Sequence, residues 1–299
     1  MSTTPAPRTL FQEWIDDAAV FPPGNAPAPR AWAEHVEMLS GSEGDLLGPL
    51  LIGATAAEDL ARAVLVHGAP DHVSPVEVAV VGRAGTSVED VAGAVRSLQD
   101  QVHLRVTGAE VTHGEGDWRR LVDLGLRTAV EVPRQGRNLS RALDDLGTGV
   151  AEEVGGSDTP TALVKWRTQA TPAAAAPDAR QLAEFLLATH ERALAFKLTG
   201  GLHRAVAPGP SGDEPHGALN ILVATHHLIR GSTLSELVAT LELQDGEALA
   251  ALLAGLTAAE VEALRARFVS FGCCGVLDPI NDLARLGLIT TPHTPIEES

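Results

Sequence analysis

The sequence predicts an α/β chain whose eight strands close into a parallel (β/α)8 barrel. Three observations carry that expectation. Eight short apolar, β-branched runs recur along 299 residues. Stretches of helical period rich in Ala, Leu, Arg and Glu follow most of them, the pattern of repeated βα units. Eight such units favour closure into a TIM barrel over an open doubly wound sheet.

Taken in order, the expected strands are AAVFP (18–22), GPLLIGA (48–54), VEVAVVG (76–82), HLRVTGAEV (103–111), RTAVEVP (127–133), ALVKWRT (162–168), LAFKLTG (194–200) and RFVSFG (267–272). Helical patterns intervene in AAEDLARAVLVH, SVEDVAGAVRSLQ, GDWRRLVDLG, NLSRALDDLG, DARQLAEFLLATHERA and, last, DPINDLARLG. In the final helix Asp278 is the expected N-cap and Pro279 the first helical residue. The rhythm breaks once. Between LAFKLTG and RFVSFG lie a Pro/Gly-rich run, AVAPGPSGDEP, and helical segments from HGALNILVATHHL to TAAEVEALRAR. We read 1–299 as one barrel domain and 205–266 as an insertion in its seventh βα unit, a lid or a homo-oligomer contact, since loops this long are usually functional.

Composition narrows the function. With a formal charge of −17 and no basic block, the chain is repelled by phosphate backbones and anionic lipid, so neither nucleic acid nor a membrane is an expected partner. No stretch near residue 1 has the form of a signal peptide and no apolar run is long enough to span a bilayer, so the expected location is cytoplasmic. The only cysteines, Cys273 and Cys274, are adjacent, a spacing that seldom makes an unstrained disulfide.

Lysine usage is the strongest functional signal. Of 22 basic side chains only Lys165 and Lys197 are lysines, and both stand in apolar strand patterns, LVKWR and FKLTG, where a charge is normally excluded. In a barrel, reacting groups project from the C-terminal strand ends. Glu131, Lys165 with Arg167, and Lys197 fall there on the fifth, sixth and seventh strands. Neighbouring strands lie about 4.8 Å apart, so two inward lysines at one height are expected to lower each other's pKa by repulsion and burial. A neutral amine attacks carbonyls to form a Schiff base; arginine, always protonated, cannot. The alternative is that each lysine is an ordinary strand-end charge paired with a carboxylate such as Glu131.

The runs LVKWRTQ and FKLTGGLHR resemble the corresponding strands of class I aldolases of the deoxyribose-phosphate aldolase type, (β/α)8 barrels with a Schiff-base lysine on strand six (VKTSTG) and a second lysine on strand seven (VKAAGGIR). RFVSFGCCG is similar in outline to that family's phosphate loop, and IDDAAVFPP to its first, aspartate-bearing strand. The resemblance implies that Lys165 forms the imine, that Lys197 activates it by charge, that Asp16 belongs to the catalytic set, and that Gly200, Gly201, Gly272 and Cys273 sit in anion-binding loops. The chain departs from the family at TrpArgThr after the first lysine, at the cysteines replacing serines, in the lack of an aspartate in HLRVTGAEV, and in the enlarged seventh unit. The likeness covers scattered pieces of the chain. FPP at 21–23, FKLTGGLHR and HGALN also resemble an uncharacterised bacterial family with FPP, KATAGLHH and HGFLN motifs.

The remaining polar residues fill in a site. His203, after the double glycine, is an expected substrate contact, as are Arg167 and, in HGALN, His216 and Asn220; His216 alternatively serves as general acid/base or helix cap. No HExxH or CxxC spacing occurs, so neither a metal nor another cofactor is expected. The expected function is a Schiff-base aldolase or lyase acting on a small anionic carbonyl substrate. The alternatives are a non-catalytic barrel that binds an anionic metabolite, and a metal-assisted hydrolase using Glu131 and histidines.

Overall fold

A computed structural model describes residues 6–152, 161–172, 174–209 and 214–290. The strands β1 (Ile15–Asp17), β2 (Leu47–Gly53), β3 (Val76–Val81), β4 (Leu104–Thr112), β5 (Arg127–Glu131), β6 (Ala162–Arg167), β7 (Phe196–Thr199) and β8 (Phe268–Cys273) pair in parallel, each with the next, and β8 closes on β1. The chain is a (β/α)8 TIM barrel. Helices α1 (Ala28–Leu39), α2 (Ala57–His67), α3 (Val88–Leu98), the single turn α4 (Arg119–Val122), α5 (Gly136–Glu152) and α6 (Ala179–Glu191) join consecutive strands. Four helices, α7 (Ala218–Ile229), α8 (Leu234–Leu241), α9 (Gly246–Ala254) and α10 (Ala258–Arg265), separate β7 from β8, and α11 (Leu277–Arg285) follows. No helix among the described residues is long and apolar enough to cross a membrane.

The strands read as nearly unbroken apolar runs because both faces are covered, outward by helices and inward by the barrel itself. Outward residues such as Val78, Val80, Val130 and Val164 join the main core, whereas Leu51, Ala79 and Val81, and separately Ala129, Leu163 and Ala195, form small clusters of their own. Alanine at several inward positions leaves the barrel's interior partly unfilled. Aromatic side chains are scarce, six Phe and four Trp with no Tyr, yet seven of them touch in one continuous seam. It runs from Phe11 and Trp14 through Phe268 and Phe271 to Phe196, Phe185 and Trp166, where Trp166 stacks on Phe185 at 4.6 Å. The seam binds β6, β7 and β8 to α6 and to the segment before β1, the part of the barrel that holds the lysines.

Three elements differ from expectation. The first strand is Ile15–Asp17 rather than 18–22, because the Asp17 carboxylate accepts the Ala19 N–H (2.9 Å) and turns the chain before a ladder can continue. Helix α1 occupies a Pro-rich stretch in which no helix was expected; Pro29 is tolerated in its first turn, where the missing N–H has no intrahelical partner anyway. Asp278 is not an N-cap: α11 starts at Leu277, no side chain caps it, and the Asp278 carboxylate is taken by His203 at 3.2 Å.

The helices before β8 are anchored by Asn220, fully buried on α7. Its Oδ1 accepts the Ala207 N–H (2.8 Å), and its Nδ2 donates to Thr240 O (2.9 Å) and Leu243 O (2.7 Å). One amide thus ties the chain after β7 to both ends of the α8 turn. Asn220→Ala leaves these buried groups unpaired, and we expect a loss of about 2–3 kcal/mol in urea unfolding with the slope unchanged; a change below about 0.5 kcal/mol refutes the anchoring role.

Candidate active site

Side chains of a strand alternate between faces, and the pair Asp16–Asp17 displays this directly. Asp17 points outward, its Oδ2 2.9 Å from Nδ1 of the buried His35 on α1. Asp16 points inward, toward Lys197. Lys165 and Lys197 lie opposite each other in the β6–β7 register, as Glu131 lies opposite Lys165 across β5–β6. All face the barrel interior, and the two lysines are 3% and 5% exposed.

Glu110 on β4 joins them. Its Oε2 is 2.8 Å from Lys165 Nζ, and its Oε1 accepts a short hydrogen bond from Lys197 Nζ. Lys165 also contacts Glu131 Oε2 (3.0 Å), which Arg167 clamps with two bonds of 2.8 and 3.2 Å. Lys197 contacts Asp16 Oδ2 (2.5 Å), which also accepts from the Ser270 hydroxyl (2.8 Å). The result is an alternating chain of charges, Arg167–Glu131–Lys165–Glu110–Lys197–Asp16, three cations and three carboxylates.

This arrangement corrects the expectation of mutual pKa lowering. Burial pulls the Lys197 pKa down, but Asp16 and Glu110 together outweigh it and the net direction is up. The lysines do not repel across empty space because a carboxylate stands between them. Burial works to raise Glu110, yet the two lysines bring it down to about 2. Burial likewise opposes, and Lys165 and Arg167 outweigh, so Glu131 is lowered. Asp16 goes the other way: burial raises it beyond what Lys197 and Ser270 offset, and the Glu110 charge adds to the rise. One ammonium shared between two carboxylates leaves Asp16 the carboxyl that most readily holds a proton.

A cavity of about 440 Å3 reaches this chain from within the barrel, lined by Asp16, Glu110, Lys197 and Ser270, and toward the N-terminal strand ends by Glu77 and Arg127. Ala79, Gly108 and Ala129 leave the room for it. The open space therefore reaches the Lys197 amine from below, not from above the C-terminal strand ends where sequence reasoning put it, and Lys165 is not among the residues that line it.

The other expected site residues fall into separate places. Gly200 and Gly201 follow β7 with φ of 78° and 73°, a left-handed pair that other residues rarely adopt. A side chain at Gly201 would meet Glu214 at 3.3 Å, and a carboxylate there disfavours the anion cradle expected of this turn. Gly272 faces inward beside Thr199 and Ala18. His203 and Cys273 meet each other at the end of β8. His216 and Asn220 do not join the lysine chain. His216, its pKa lowered by burial, bonds through Nε2 to Pro177 O (2.8 Å) at a different cavity, and Asn220 is spent on the backbone. No metal-holding group of three or more His, Cys, Asp or Glu side chains occurs among the described residues.

Sequence reasoning missed Glu110 and Ser270. Glu110 carries the same signal as the lysines, a charge inside an apolar strand pattern (GAEVT), and supplies a strand-four carboxylate despite the lack of an aspartate in that run. Ser270 carries no such signal.

The chain as a whole matches no family model and no curated protein sequence. The class shown is therefore that of the fold, a TIM barrel with a buried lysine–carboxylate chain at its centre.

Glu110 gives the chain a definite acid response. Its pKa moves from 4.5 to about 2 on folding, so its stabilising contribution is complete above about pH 4.5 and is lost as pH falls toward 2. We expect Glu110→Gln, which leaves the buried chain with three cations to two carboxylates, to cost about 3–5 kcal/mol at neutral pH and to flatten the stability loss in this acid range. Urea titrations at several pH values check both; an unchanged acid slope counts against the bridging role.

Proposed function

We propose that the chain is a lysine-dependent lyase of the aldolase kind, in which Lys165 forms a Schiff base with a small carbonyl substrate and Lys197 acts through its charge. The observation that carries this reading is the pair of buried lysines in register on neighbouring strands, coupled through one glutamate, in a chain that otherwise uses arginine. The resemblance of LVKWRTQ and FKLTGGLHR to the aldolase strands supports the same assignment.

The charges distinguish the two amines. Lys197 lies between Asp16 and Glu110; among the described residues Asp16 pairs with no other cation and Glu110 only with Lys165, so the Lys197 proton is held firmly. Glu131, the second partner of Lys165, divides its charge with Arg167 and holds the Lys165 proton less. Lys165, whose second carboxylate is shared with Arg167, is therefore the amine we assign as the nucleophile. The free amine adds to the substrate carbonyl carbon; the C–N bond forms and the oxygen leaves as water after taking two protons. The protonated imine then draws the electron pair of the neighbouring carbon–carbon bond to become an enamine, while the hydroxyl on the departing carbon gives up its proton and that fragment leaves as an aldehyde. Asp16, raised by burial, is suited to hold or return a proton beside Lys197, and the 440 Å3 cavity offers room for a small substrate beside Lys197, with Lys165 one strand away in register.

Charge matching weighs against a barrel that merely binds anions at the lysines. Both ammonium groups are already compensated, so an anion there would have to displace a buried carboxylate.

Borohydride with a panel of small aldehydes and keto acids should leave a reduced adduct that mass spectrometry maps to Lys165, and Lys165→Leu should abolish it. Lys197→Leu leaves Asp16 and Glu110 short of a cation, strengthens the hold on the Lys165 proton, and should raise the pH at which the adduct forms by roughly one unit or more. An adduct on Lys197 reverses the roles. No adduct with any carbonyl compound removes the Schiff-base reading.

A further inference from the structure

We propose that Cys274, His203 and Asp278 form a second reactive site, a nucleophilic thiol that adds to the carbonyl carbon of an aldehyde. The proposal is independent of the lysine reading, because it rests on side chains outside the buried charge chain.

The geometry is that of an activated nucleophile. Cys274 Sγ is 3.2 Å from His203 Nε2, and the opposite ring nitrogen, Nδ1, is 3.2 Å from Asp278 Oδ2. Nucleophile, base and orienting carboxylate thus stand in line across one imidazole. Backbone chemistry permits the contact: a side chain at Gly275 would lie 2.8 Å from Asp278 Oδ2 and 3.4 Å from His203 Nδ1, so only glycine lets the three residues meet. The same contact explains why Asp278 is drawn away from capping α11.

The two cysteines are not equivalent. Cys273 is buried, its Sγ–H donates to Gly275 O at 3.3 Å, its sulfur is 3.8 Å from His203 Nδ1, and burial pushes its pKa up. It stays a thiol. Cys274 is part-exposed and faces the ring nitrogen not used by Asp278. His203 Nε2, 3.2 Å from Cys274 Sγ, is placed to accept the thiol proton. A cavity of about 340 Å3 lies against His203 and Asp278, bordered also by Arg204, Glu214, Asn281 and Arg285; Cys274 does not line it and is reached from its own part-exposed side.

Addition to an aldehyde needs no co-reactant. The Cys274 thiolate forms the S–C bond, the carbonyl π pair moves to oxygen, and that oxygen takes the proton from His203 Nε2, giving a thiohemiacetal. Reversal returns the proton and the aldehyde.

Iodoacetamide alkylation, read by mass spectrometry at each cysteine, tests the site in the intact chain. The charged and titratable groups facing the thiol and its imidazole are Cys273, Asp278 and Glu214. At pH 6.5 Cys274 should alkylate at least about tenfold faster than a free cysteine of ordinary pKa near 8.5, with little pH dependence. His203→Asn, with its fold checked by circular dichroism, should restore an ordinary thiol profile and lose that tenfold advantage, and Asp278→Asn should lose part of it. Millimolar propanal should slow Cys274 alkylation in the wild type. Alkylation at the free-cysteine rate with a midpoint near 8.5, or preferential labelling of Cys273, overturns the site. Fast alkylation with no protection by propanal overturns the aldehyde assignment.

Discussion

The interaction on which the rest of the barrel's interior depends is the Glu110 carboxylate held between two lysines. Taking any one of these ions out of water costs several kcal/mol, and attraction recovers that only where geometry is close and every charge is answered. Glu110 meets both conditions, with one oxygen for each ammonium group. Without it Lys165 and Lys197, opposite each other in register, would be like charges in a low-dielectric interior. The outer members then follow: each lysine needs a second carboxylate, which Glu131 and Asp16 provide, and Glu131 in turn accommodates Arg167.

That chain also accounts for how the barrel is built around it. Ions so closely coupled tolerate little movement, and the strands bearing them must be held in fixed register. The aromatic seam does this from outside, packing Trp166 and Phe196, the neighbours in sequence of Lys165 and Lys197, against Phe185 and Phe268. Each lysine points inward while an aromatic residue adjacent to it, Trp166 after Lys165 and Phe196 before Lys197, anchors the same strand outward, the alternation that a strand imposes. Small inward residues on β3, β4 and β5 leave the interior open beside the charges.

Much of this was legible in the sequence, for reasons that differ by residue. Seven of the eight strands and the placing of Lys165, Lys197 and Glu131 followed from apolar runs and from charges interrupting them, while the first strand lies just before the run AAVFP. Asp16 came from a resemblance. Glu110 interrupts an apolar strand as the lysines do, but among 39 acidic residues a glutamate does not stand out by rarity. The charge bridge itself was not legible, because it joins β4 to β6 and β7 through the barrel interior, and no local pattern records which inward side chains meet across a lumen. Position 278 shows the converse limit. Local helix-start chemistry favoured a cap, and a tertiary contact with His203, possible only over Gly275, took the carboxylate instead.

The balance of three cations and three carboxylates bears on what chemistry the interior can support. A fixed and neutral chain has little net field with which to attract a charged ligand, so long-range steering contributes little to binding here. Within the chain, however, moving one proton alters every neighbour. If Lys165 loses its proton, Glu110 is left facing Lys197 alone, which tightens the hold on Lys197 at the moment Lys165 becomes neutral. The same coupling makes the two amines inequivalent: freeing one fixes the other. A buried pair of lysines on separate carboxylates would lack that property, and sharing Glu110 provides it.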